Sequence, residues 1–159
     1  MNETTKRLVQ LIFLTDKEAL HLEQVAQRLE QKLPKPAAEL ENALKNPELI
    51  DTLESFSAKF SRLQDTLADK LLPTFLSLAG EKTGTVIENL NRAETLSLIT
   101  NTQDWLIARN LRNKLVHECI EDYNELKEAI ELAQVFTRQL IDTQKAIKNY
   151  SFNHLKLSL

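Results

Sequence analysis

Apolar residues recur at intervals of three and four along most of the chain, the spacing that gathers side chains on one face of an α-helix. Leu8, Leu11 and Ile12, then Ala19, Leu22, Val25, Leu29 and Leu33, form the first such stripe. "TDKE" (15–18) has the form of a capping box and predicts a break near Thr15; Pro34 and Pro36 end the region. Asn46 as N-cap and Pro47 at the first helical position open a second helix. Its stripe is Leu49, Leu53, Phe56, Phe60, Leu63, Leu67 and Leu71. Pro73 is expected to kink or interrupt that helix and Gly80 to stop it. "TVIE" (85–88) caps a third helix running to about Leu98, and "TNTQDWL" begins a fourth. "DYNE" (122–125) caps a long last helix that turns Leu126, Ile130, Ala133, Phe136, Leu140 and Ile147 inward. Long helices with short connections predict an all-α, up-and-down bundle of four to five helices.

Composition agrees. Leu, Ala, Glu, Lys and Gln dominate, and all favour helix; only two glycines and four prolines are available for turns. The 159 residues read as one helical domain, with 1–14 and 151–159 expected to be peripheral. Hydrophobic residues at 42% and charged residues at 27% are globular values, not disordered ones. The net charge of −3 supplies no global field to gather nucleic acid, so any RNA contact needs a local patch or two chains meeting. The lone Cys119 excludes an intrachain disulfide and a cysteine-rich zinc site. No apolar run approaches the roughly 20 residues of a membrane span, and "LVQLIFL" (8–14) is too short for one; a cytoplasmic location is expected.

Against this background one stretch stands out, "RNLRNKLVH" (109–117). On a helix of 3.6 residues per turn, Ala108, Leu111 and Leu115 share a core face. Arg109, Asn113 and His117, at i, i+4 and i+8, lie roughly opposite, flanked by Arg112. Trp105, Leu106 and Val116 fall on that second face too. Apolar groups mixed with arginine are the composition of a contact surface.

Histidine exchanges a proton near neutral pH. Arginine grips phosphate oxygens with a planar fork and stabilises charge that develops on them, and asparagine orients either. With no acidic cluster or second histidine nearby in the sequence, no metal and no cofactor is expected. Metal-free cleavage of RNA fits this set. His117 activates a 2′-hydroxyl, Arg112 stabilises the charged phosphorane, and the products are a 2′,3′-cyclic phosphate and a 5′-hydroxyl. The plain alternative is a decorated helix end, since the macrodipole alone favours histidine there.

Arg112, Asn113, "KLV" and His117 also resemble the signature of the HEPN superfamily: arginine, a polar residue, a short spacer, then histidine late in a helix of a small bundle. "LRNKLVHE" is similar to the HepT-like branch, the toxin of a bacterial pair with a nucleotidyltransferase (MntA-like) antitoxin, and "FSRLQDTLADKL" (60–71) resembles that branch's second helix. The resemblance implies a homodimer formed through the motif helix, with two motifs facing each other as a composite endoribonuclease site. It carries Arg112 and His117 over as catalytic and Asn113 as their polar partner; Arg109 is added from helical geometry as an RNA contact. Trp105 and Val116 become expected dimer anchors. A non-catalytic adaptor that binds nucleotide or the nucleotidyltransferase is the second reading. The sequence departs from the branch at Cys119, where a tyrosine that accepts AMP often stands. The modification is therefore absent, or moved to a residue such as Tyr123, or replaced by regulation through binding.

Elsewhere, Cys119 reads as an inert thiol, and His21 and His154 as surface residues. Arg62, Gln64 and Asp65 read as a charged helix face, or as the lining of a cleft.

Overall fold

The computed structural model describes residues 2–35, 39–116, 122–155 and 157, the side chain of Val116 excepted. Among them every regular element is helical: α1 Glu3–Lys32, α2 Leu40–Ala43, α3 Pro47–Thr66, a π turn Leu67–Leu71, α4 Leu72–Leu78, α5 Val86–Thr95, α6 Thr102–Val116 and α7 Tyr123–His154.

The helix starts follow the side chains that can satisfy free N–H groups. Asn46 accepts from the Glu48 N–H at 3.0 Å, Thr85 from the Glu88 N–H at 3.2 Å, and Asp122 from the N–H groups of Asn124 and Glu125. Gly80, at φ +78°, ends α4; the Glu81 N–H reaches back to the Leu76 carbonyl at 2.9 Å.

Four long helices alternate in direction. Glu18 on α1 meets Thr66 on α3, and Lys32 meets Glu48, so these two run antiparallel. Asp65 and Asp69 meet Arg112 and Arg109 in reversed order, which makes α6 antiparallel to α3. Lys114 pairs with Glu125 across the α6–α7 turn, and Lys148 on α7 returns to Asp16 on α1. The result is a closed up-and-down bundle with α2 and α5 as short additions. Its core holds the apolar stripes expected of α1, α3 and α7, with Phe56, Phe60 and Phe75 fully buried and Phe60 edge-on to Phe136.

Several expectations need correction. α1 does not break at Thr15. That hydroxyl is buried, donates to the Leu11 carbonyl at 2.8 Å, and accepts from Gln144 of α7 at 3.1 Å, so it serves the helix interior and not a cap. Residues 3–14 are not peripheral, because Leu8, Leu11 and Ile12 are buried. At the other end Ser151 is buried within α7, and Leu155 and Leu157 pack against the core. The third helix stops at Thr95, short of Leu98, where Ser97 adopts φ 61° and the Leu98 N–H closes on the Ala93 carbonyl. Near Pro73 the regular α-helix is interrupted, as expected, though the chain stays helical. The turn before the proline widens, with the Leu72 N–H bonded to the Leu67 carbonyl five residues back. Proline brings no N–H, and in a regular helix its ring presses on the carbonyl four residues earlier, here that of Asp69; the wider turn relieves this.

Candidate functional site

The motif lies on the second half of α6, whose start is fixed from outside. Asn101 accepts from the N–H groups of Gln103 and Asp104, and the Glu94 carboxylate, turned out from the end of α5, accepts from the Thr102 N–H at 2.7 Å. Ala108, Leu111 and Leu115 face the core as the periodicity predicts.

Trp105 joins them, which overturns its placement on the contact surface. It is 2% exposed, edge-on to Phe136 at 5.6 Å. Its carbonyl accepts from the Gln64 amide at 3.3 Å. At α6's entry the core face is wide enough to take position 105 as well as 108. Among the described residues of α6, the large apolar group most turned to solvent is Ile107, 52% exposed; Leu132 and Val135 of α7 are exposed as well. Leu106 is half-buried and Asn110 and Asn113 are exposed. Val116's side chain, His117 and Cys119 lie outside the described residues.

Arg109 and Arg112 occupy the flank of α6 that faces α3. Arg112 Nη1 donates to Asp65 Oδ1 at 2.6 Å, and Arg109 Nη2 lies 3.5 Å from Asp69 Oδ1. Each guanidinium keeps about a third of its side chain exposed, at 32% and 34%. Partly exposed pairs of this kind contribute only about 0.2–1 kcal/mol each to stability. No acidic cluster lies beside the motif along the chain, and the fold brings two carboxylates to it from α3 and the turn that follows. Their signal was present but paired across 40 residues and more: acids at 65 and 69 on one helix, arginines at 109 and 112 on another.

No family model, curated protein or solved structure matches the chain.

Gln64 departs most from its expected place on a charged face. It is fully buried between α3 and α6, with its Oε1 unpaired among the described residues. That buried bond to the Trp105 carbonyl fixes how α3 and α6 align, and so which carboxylate stands opposite which arginine. On the α1 side of α3, Glu18 is 9% exposed and accepts from the Thr66 hydroxyl at 3.2 Å. Burial pushes its carboxyl above the usual range, against the opposing pull of the Thr66 hydrogen bond, Arg62 and Lys70. His21 and His154 are exposed, as expected, the latter stacked against Tyr150 at 4.6 Å.

Among the described residues no three of His, Cys, Asp and Glu converge as a metal site, and no helix is long and apolar enough to cross a membrane. Asp65 and Asp69 each face a guanidinium, an arrangement that repels a divalent cation.

Proposed function

We propose that the chain is a metal-independent endoribonuclease, the toxin of a HEPN/nucleotidyltransferase toxin–antitoxin pair, working in the cytoplasm as a homodimer. One observation supports this reading above the others. Arg109 and Arg112 stand side by side on α6, partly exposed and each paired with one carboxylate, with Asn113 exposed on the same helix. Two forks on one flank suit a phosphodiester backbone, and His117 follows Arg112 five positions later.

In this mechanism His117 takes the 2′-hydroxyl proton as the 2′-oxygen bonds to phosphorus. The phosphorus–O5′ bond breaks, and the departing oxygen collects a proton from the second copy's His117. Arg112 compensates the charge that builds on the non-bridging oxygens, and Arg109 holds a neighbouring phosphate. The products carry a 2′,3′-cyclic phosphate and a 5′-hydroxyl, and DNA resists because it has no 2′-hydroxyl. The exposed Ile107 takes over from Trp105 as the apolar contact of α6 for a second copy.

The test is cleavage of total tRNA in EDTA by wild type and by His117→Ala. Cyclic-phosphate ends from wild type alone support the proposal. Absence of cleavage across varied RNAs refutes the nuclease and transfers the same surface to a nucleotide- or nucleotidyltransferase-binding adaptor.

A further inference from the structure

Resting on the nuclease reading of α6, we infer that Asp65 is a positioning residue. It grips the Arg112 guanidinium by one nitrogen and presents the rest of the fork to a phosphate of the RNA, with Asp69 playing the looser counterpart for Arg109.

The geometry supports this from three directions. First, the Arg112–Asp65 contact is short, 2.6 Å, and uses Nη1 alone among the described residues. A charge-assisted bond at one corner fixes a long, rotamer-rich side chain without consuming the planar edge that fits a phosphate. Second, the carboxylate is itself held. Gln64, the preceding residue, is fully buried and bonded to the carbonyl of Trp105, one helical turn before Arg109. The α3–α6 register is therefore locked beside the pair. Third, the same flank carries a second acid one turn on: Asp69, within the π turn Leu67–Leu71, meets Arg109 at 3.5 Å.

A carboxylate beside an arginine also lowers the local positive potential, so Asp65 adds nothing to RNA affinity. Its contribution lies in orientation, and orientation appears in the chemical step. Asp65→Ala should lower kcat for RNA cleavage by about 10- to 100-fold, while KM stays level or falls. Asp65→Glu should recover part of the loss, since it restores the charge at a shifted reach. The melting temperature should hardly move, because the pair is partly exposed.

A second readout is independent of activity. With ¹⁵N-labelled arginine, the Arg112 guanidinium should show slow rotation, with resolved Nη protons, in wild type and averaged signals in Asp65→Ala. A fall in kcat with steady KM, together with that loosening, supports the inference. Unchanged kcat, an unchanged Arg112 spectrum, or a melting temperature that drops in step with kcat overturns it. If wild type cleaves no RNA the nuclease reading fails by itself. The spectrum then still decides the grip: loosening in Asp65→Ala supports it, and no change refutes it.

Discussion

Replacing Trp105 with alanine separates two roles that the sequence could not distinguish. On a contact surface the residue would matter to assembly; in the structure it is 2% exposed and packs edge-on against Phe136. Truncating a buried aromatic of this size costs about 3–5 kcal/mol, the lost transfer energy plus the cavity left behind. Unfolding entropy of about 2.1 cal/mol/K per residue, over 159 residues, converts that cost into a melting temperature lower by about 9–15 °C. Trp105→Phe keeps a ring against Phe136 and should cost a fraction of this. The assay is thermal unfolding by circular dichroism, with light scattering to follow assembly. Trp105 is the single tryptophan, so the intrinsic fluorescence of wild type reports this site directly and should be blue-shifted and resistant to iodide quenching. An unchanged melting temperature in Trp105→Ala with a shift from dimer to monomer would return Trp105 to the interface and refute its placement in the core.

Three further outcomes are expected. Arg112→Lys should lose most RNA cleavage with its circular dichroism intact, since a point charge replaces a planar fork; activity close to wild type would remove Arg112 from the chemistry. Ile107→Asp should shift a dimer toward monomer in light scattering at micromolar concentration without unfolding it, because the residue is 52% exposed; an unaffected dimer places the contact elsewhere. Glu18 has a carboxyl raised by burial, so the folded state holds its proton to a higher pH than the unfolded state does. Its contribution is therefore complete below the ordinary glutamate value of about 4.3 and is lost as the pH rises through the raised folded value. Glu18→Gln should match wild type near pH 4, melt higher at pH 8 and flatten the slope between; a parallel pH profile would show that Glu18 is already ionised at no cost.

Much of the bundle was legible because its signals are local. Caps such as Asn46, Thr85 and Asp122 sit within a turn of the groups they satisfy, and the stripe from Leu49 to Leu71 needs only helical period to be read. What was missed depends on distant partners. Thr15 begins a capping-box pattern, yet its hydroxyl is claimed by Gln144, 129 positions away. Ser97 ends α5 in a left-handed conformation that usually announces itself with glycine or asparagine. Trp105 fell on the wrong face because the width of the core at α6's entry is set by Phe136, a residue on another helix. The site divides in the same way. Arg109, Arg112 and Asn113 were visible as a crowded polar set, while Asp65 and Asp69 become its partners only once α3 lies against α6, and Gln64's burial is set by that same packing.

The most direct measurement is made on an RNA oligonucleotide that the wild-type chain cuts at one mapped bond. A copy is prepared with a single 2′-deoxy nucleotide on the 5′ side of that bond, and both are incubated in EDTA. If α6 carries a metal-independent nuclease that uses the 2′-hydroxyl, the all-RNA strand is cut to a cyclic phosphate and the substituted strand stays whole at that position. Cutting of the substituted strand at the same bond, or cutting that appears only when a divalent metal is restored, would contradict it.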